Sequence, residues 1–88
     1  MRIVSVALTL AILTVDARAA EDPHGLLQRG IQLYREASYA ASVAALEQAR
    51  QSPALGANEQ TECGFYLGAD YVALGSMQAA RRELRAVL

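Results

Sequence analysis

The sequence has no lysine and no tryptophan, and among 88 residues it has one histidine, one cysteine and one phenylalanine. A single cysteine excludes a disulfide bond within the chain. No pair of histidine, cysteine or acidic residues repeats at ligand spacing, so we expect no metal and no other cofactor. The only catalytic pair to consider is His24 with Cys63, and no recognisable motif activates it. We therefore expect a protein that is not an enzyme.

Positive charge is also sparse, and it is spread along the chain. After residue 19, six arginines stand against eight acidic residues, a formal charge of −2. Arginines and acids are interspersed, which is typical of a solvated surface and leaves no basic patch to neutralise phosphates. Nucleic-acid binding is therefore excluded.

Long hydrophobic runs are missing except near the N-terminus. Residues 3–15 are mostly apolar and follow a short basic start, and residues 17–19 read Ala-Arg-Ala. The run is shorter than the roughly 20 residues that a membrane-spanning helix needs. This pattern predicts a secretory signal peptide over residues 1–19 and a domain over residues 20–88, exported to the periplasm or secreted. An uncleaved anchor or an ordinary apolar helix are the alternatives.

The rest of the chain has helical hydrophobic spacing. Leu27, Ile31 and Tyr34 follow the i, i+4, i+7 pattern and predict a first helix over residues 23–35, capped by Asp22. Ser38, Asn58 and Ser76 are the expected caps of a second helix, a third over about 59–74, and a fourth. The expected inner faces are Tyr39, Ser42, Val43, Leu46 and Ala49 in the second helix and Met77, Ala80, Leu84 and Val87 in the fourth.

Glycines add two further predictions. Gly64 and Gly68 lie four residues apart inside the third helix, where each glycine costs about 1 kcal/mol relative to alanine. We expect that a neighbouring helix approaches closely there. Gly75 is expected to end the third helix in the left-handed conformation.

The two predicted helix pairs form an internal repeat with an offset of 38 residues, between units at about 23–52 and 59–88. The register holds across both helices of each pair. The matched pairs are Gly30 with Gly68, Leu33 with Tyr71, Tyr39 with Met77, Ser42 with Ala80, Leu46 with Leu84, and Ala49 with Val87.

The second unit resembles the tetratricopeptide repeat (TPR) family. It contains Leu67-Gly68-x-x-Tyr71, then Gly75 at the turn, then Ala80 four residues before Leu84. The first unit fits more loosely, with Arg29 in place of the leucine, and the tryptophan position is absent from both. The resemblance implies an all-α fold, a TPR-like α-solenoid of two antiparallel helix hairpins with four helices.

The resemblance also implies a groove that binds a protein or peptide partner, lined by the first helix of each pair. Tyr34 and Arg35 are the strongest candidates within it, because tyrosine and arginine are over-represented at binding hot spots. The alternative is that the apolar members pack against a further helix or another subunit. Carried over by motif position, the groove residues are His24, Leu27, Ile31, Tyr34, Arg35, Glu62, Phe65, Ala69, Val72 and Ala73.

These features predict an exported, non-catalytic adaptor or scaffold module that binds a protein partner. The last helix ends on apolar residues, so self-association through it is a further expectation. Two alternatives are an N-terminal fragment of a longer TPR protein, and an element that lies on a membrane through the last helix, which Arg81, Arg82 and Arg85 support only weakly. Cys63 is expected either to be buried or to form an intermolecular disulfide.

Overall fold

A computed structural model describes residues 22–88 of the chain, and this part is all-helical. Its four helices are α1 (Pro23–Arg35), α2 (Tyr39–Arg50), α3 (Ala57–Ala73) and α4 (Met77–Val87). The predicted signal peptide, residues 1–19, lies outside the described residues. No helix within residues 22–88 is both long and apolar enough to cross a membrane.

The first helix begins and ends as the sequence predicts. The Asp22 side chain caps it, since Oδ2 accepts the backbone N–H groups of His24 at 3.0 Å and Gly25 at 3.2 Å. Pro23 occupies the first turn, where a missing N–H has no cost. The local sequence is therefore sufficient to position the start of α1.

The turns that follow α1 and α3 have the same structure. After α1, the N–H of Ala37 donates to the carbonyl of Tyr34 at 3.0 Å, and the N–H of Ser38 donates to that of Leu33 at 2.9 Å. The equivalent bonds after α3, each 38 residues later, are 3.0 and 2.8 Å long. This pair of bonds defines a Schellman motif, whose C′ residue is left-handed. Ala37 has φ 62° and Gly75 has φ 78°, so the prediction for Gly75 is confirmed.

Three predictions about helix caps need correction. Ser38 and Ser76 do precede α2 and α4, but neither side chain makes a capping hydrogen bond. Asn58 is not a cap, because α3 begins at Ala57 and its N-cap residue is Gly56. The Glu59 carboxylate accepts the N–H of Gly56 at 3.2 Å, so this acid organises the start of α3 instead.

Glycines permit close packing within each hairpin, and the close approach predicted at Gly64 and Gly68 is confirmed. A Cβ atom on Gly30 would lie 2.5 Å from Cδ2 of Leu46, and one on Gly68 would lie 2.6 Å from Cδ2 of Leu84. Both distances are too short for two carbon atoms, so a side chain larger than hydrogen would displace the leucine or separate the helices. The two hairpins thus use the same glycine–leucine contact at the same offset.

The helices pack in chain order, with α1 against α2, α2 against α3, and α3 against α4. Met77 is 50% exposed, so its prediction as an inward-facing residue is wrong. Leu84 and Val87 are only half-buried, because α4 is covered by α3 on one side alone. The continuous core lies in the first three helices and in the loop between α2 and α3, and it contains Leu26, Leu27, Ile31, Leu46, Ala49, Leu55, Cys63 and Leu67.

Candidate partner-binding surface

Four aromatic side chains from three helices form a continuous row. Tyr34 of α1 packs edge-on against Tyr39 of α2, with ring centroids 5.8 Å apart, and against Tyr66 of α3 at 5.4 Å. Tyr66 in turn packs edge-on against Phe65 at 5.4 Å. This aromatic row (Tyr39, Tyr34, Tyr66 and Phe65) crosses the boundary between the hairpins.

The aromatic row is accessible to a ligand. Phe65 is 52% exposed, and the three tyrosines are half-buried. Aromatic rings combine a large apolar surface with few rotatable bonds, and tyrosine adds a hydroxyl group that bonds to peptides. Because the rings already pack against one another, a partner would meet a preorganised surface.

The structure divides the groove residues implied by the family resemblance into three groups. Tyr34 and Phe65 meet through Tyr66 in the aromatic row. Leu27 and Ile31 are core residues, 0% and 4% exposed, and do not contribute to a surface. In the third group Ala69 is half-buried. The other members of this group are exposed, and they are His24, Arg35, Glu62, Val72 and Ala73.

His24 is held at the other end of α1 by an ion pair with α3. Its Nδ1 lies 2.7 Å from Oε2 of Glu59. The hydrogen bond to Glu59 raises the pKa of His24, and the same bond lowers the pKa of Glu59. Protonated His24 therefore links α1 to α3 at the surface.

Cys63 is fully buried between α2 and α3, which agrees with one of the two alternatives for this residue. Its Sγ donates to the carbonyl of Leu46 at 3.1 Å. Burial raises the pKa of the thiol to about 11, whereas a reactive cysteine has a depressed pKa. A disulfide with a second chain would require the two helices to separate.

Asp70 of α3 is an ionisable side chain that the sequence analysis did not single out. It is 0% exposed, and among residues 22–88 neither carboxylate oxygen has a hydrogen-bond partner. The Ser42 hydroxyl lowers the pKa of Asp70 somewhat, but it donates its own hydrogen to the Gly30 carbonyl at 2.8 Å. Burial has the larger effect and raises the pKa of Asp70.

A cluster of charged side chains centred on Arg50 joins the two hairpins. Its guanidinium donates to Glu83 of α4 at 2.5 Å and to Glu47 of α2 at 2.6 Å. The bond to Glu83 raises the pKa of Arg50 further above its ordinary value. Glu47 also accepts the hydroxyl of Tyr71 at 3.1 Å, so α2, α3 and α4 meet at one carboxylate cluster.

Within residues 22–88, no group of three or more histidine, cysteine or acidic side chains is placed to hold a metal ion. The candidate catalytic pair makes other contacts. His24 is hydrogen-bonded to Glu59, and the Cys63 thiol is hydrogen-bonded to the Leu46 carbonyl.

Sequence analysis missed Tyr66 because its counterpart in the first unit is the exposed Gln28. Tyr66 packs on the preceding hairpin, and within residues 22–88 no helix lies in that position against α1. The sequence pattern within a single repeat unit therefore could not predict the contact between Tyr66 and Tyr34. The pair Phe65-Tyr66, two adjacent aromatics, was the available signal.

Comparison of this chain with protein-family models, with curated proteins and with solved structures finds no significant match.

Proposed function

We propose that this protein is an exported, non-catalytic interaction module of the tetratricopeptide-repeat type, which binds a protein segment on its aromatic row. The aromatic row is the single observation that carries the proposal. It is the place in residues 22–88 where partly exposed aromatic side chains from both hairpins converge.

Repetition within the structure supports the TPR-like arrangement. The two hairpins share the glycine–leucine contact and the Schellman turn at an offset of 38 residues. Helices that pack in chain order are typical of solenoids, in which each unit contacts its neighbours. In such an array the first helices of successive units lie side by side, as the contact between Tyr34 and Tyr66 requires.

The chemistry of the polar residues supports a binding role in place of a catalytic one. The Cys63 thiol is buried and its pKa is raised, so it lacks the thiolate that nucleophilic catalysis needs. His24 is held by Glu59 in an exposed ion pair. The aromatic row, in contrast, has the composition of a binding hot spot.

The test is selection of peptides from a displayed random library on the immobilised chain, followed by calorimetric Kd measurements. Phe65→Ala removes the most exposed ring of the row and should weaken the selected peptides by about tenfold or more. Leu74→Ala is the matched control, because Leu74 is 46% exposed and lies outside the row. If no peptide is enriched, or if Phe65→Ala and Leu74→Ala bind equally well, the proposal is wrong.

A further inference from the structure

The exposed side of α4 forms an apolar groove at the end of the second hairpin. The groove has a volume of about 490 Å³. Its apolar lining includes Val72, Met77 and Leu88, which are 48%, 50% and 102% exposed. Ala80 and Leu84 complete this lining, and Arg81 and Arg85 also line the space. We refer to these seven residues as the α4 groove.

The internal repeat shows what kind of element fits such a groove. The repeat offset of 38 relates Val72 to Tyr34, Leu84 to Leu46, and Leu88 to Arg50. In the first hairpin these three positions are covered by α3. Tyr66 packs on Tyr34, Cys63 donates to the Leu46 carbonyl, and Gln60 donates to the Arg50 carbonyl at 3.1 Å. The α4 groove is therefore the counterpart of a surface that the same molecule covers with a helix.

The α4 groove and the surface that α3 covers in the first hairpin differ in charge, and this difference indicates which kind of helix fits the groove. The residue of α2 that corresponds to Arg85 is Glu47, which accepts the hydroxyl hydrogen of Tyr71. The residue that corresponds to Arg81 is the apolar Val43. An arginine can only donate, so a helix over the α4 groove needs an acceptor, and a carboxylate is the strongest one.

From this complementarity we infer that the α4 groove binds an acidic amphipathic helix of a partner protein. The apolar face of that helix covers Val72, Met77 and Leu84, and its carboxylates pair with Arg81 and Arg85. The inference rests on the proposed role as an interaction module, and it assigns a second surface with its own ligand chemistry.

A second copy of the chain fits the groove poorly. In the register of the repeat, its α1 would take the place that α3 takes on α2. That would put Arg29 where α3 has Leu67, which is fully buried. A cation would then face Leu84 beside Arg81 and Arg85. Both burial of the charge and repulsion between like charges oppose this arrangement.

The probe is a synthetic helix derived from residues 57–73, the segment that covers the equivalent surface. Cys63→Ala, Gly64→Ala and Gly68→Ala remove the thiol and strengthen the isolated helix. Asp70→Ala removes a carboxylate that would face the apolar Ala80, which lies in the groove where the first hairpin has Ser42. Tyr71→Glu supplies the carboxylate for Arg85, and a control peptide has Tyr71→Lys instead.

Binding of both peptides to the 88-residue chain is measured by fluorescence anisotropy at low and physiological salt. We expect the glutamate peptide to bind at least about tenfold more tightly than the lysine peptide, with a difference that shrinks as salt rises. Arg85→Glu in the protein should reverse this preference. Arg82→Glu changes the charge equally, but Arg82 does not line the groove, so the preference should remain.

Two results would overturn the inference. One is equal binding of the two peptides, or no binding of either, to a chain that circular dichroism shows to be helical. The other is a dimer in sedimentation that Leu84→Glu dissociates, which would make a second copy the occupant. Peptides selected on the aromatic row serve as the reference. If the selected peptides still bind when the acidic helix does not, this inference fails and the proposed function stands. If the acidic helix binds but no peptide binds the aromatic row, the proposed site on the row is wrong and the inference about the α4 groove stands.

Discussion

Asp70 carries a carboxylate that is enclosed beside Ser42. It is fully buried, and within the described part of the chain its oxygens have no hydrogen-bond partner. A buried charge without a partner disfavours folding, and the raised pKa of Asp70 expresses the same cost. In the folded protein the carboxyl therefore binds a proton more tightly than in the unfolded chain. Its contribution to stability is complete below the unfolded pKa and is lost as pH rises through the folded pKa.

Asp70→Asn should therefore stabilise the protein at pH 7, by about 1–2 kcal/mol. The amide has no charge and can donate a hydrogen bond to the Ser42 oxygen. The difference from the natural sequence should shrink at a lower pH, below the raised pKa of Asp70, where the aspartate is neutral as well. Urea denaturation at both pH values measures it. Glu62→Gln, an exposed carboxylate on the same helix, is the control and should show no such gain.

The ion pair between His24 and Glu59 also has a defined pH window. A raised histidine pKa contributes stability that is present at low pH and is lost as pH rises through the folded value. The lowered Glu59 pKa contributes stability that is lost as pH falls through its folded value. The pair is therefore effective only between these two transitions.

Titration of His24 by proton NMR should give a midpoint above the ordinary histidine value in the unaltered chain. Glu59→Gln should lower that midpoint, because Glu59 is the main cause of the shift. Glu62→Gln, three residues along α3, provides the comparison and should leave it in place. An unchanged midpoint in Glu59→Gln would show that the ion pair does not form in solution.

The two turns offer a matched test of helix ends. Ala37 and Gly75 occupy the same left-handed position, but only Gly75 is free of the steric cost that a Cβ introduces. A Cβ at Gly75 would contact nothing within 4 Å, so a substitution there changes only the backbone preference.

We expect Ala37→Gly to stabilise the chain by about 1 kcal/mol and Gly75→Ala to destabilise it by a similar amount. Thermal and urea unfolding of both variants measure these changes. Changes of the same sign in the two variants would mean that the turns are not equivalent, and would argue against a duplicated hairpin.

The ends of a helix could be predicted from the sequence where the residue that determines them lies at that end of the helix. Asp22 and Pro23 determine the start of α1, and Gly75 determines the end of α3, so these bounds could be predicted. Asn58 was the wrong cap because the Glu59 carboxylate accepts the N–H of Gly56, so α3 starts at Ala57, two residues earlier than predicted. Met77 has the spacing of an inner residue, but periodicity cannot show whether another helix covers it.

At the scale of the whole molecule, Arg50 connects the two hairpins through Glu83. The side chain of Glu83 is only 7% exposed, so Arg50 and not water compensates the buried carboxylate. Removal of one member of such a pair leaves the other charge without compensation, whereas removal of both does not.

Arg50→Met should therefore destabilise the protein by about 2 kcal/mol, and Glu83→Met in the same chain should recover much of that loss. Denaturant unfolding of the two single variants and the double variant measures the coupling. Additive losses would show that the two side chains do not interact.

The candidate site was only partly predictable, because it depends on contacts between units. Tyr34 and Phe65 were identified from their motif positions. Tyr66, which joins them, was missed because its role exists only where one hairpin meets the next. Leu27 and Ile31 have the right spacing for a groove, but they face the core that α1 shares with α2 and α3.

The most direct test of the account is to map a selected peptide onto the chain by amide chemical-shift changes in NMR. The account predicts that the largest changes cluster at Tyr34, Phe65 and Tyr66 and spare the exposed side of α2 around Gln48. Saturable changes centred on the α2 side, with the aromatic row unaffected, would contradict the claim that the aromatic row binds a protein partner.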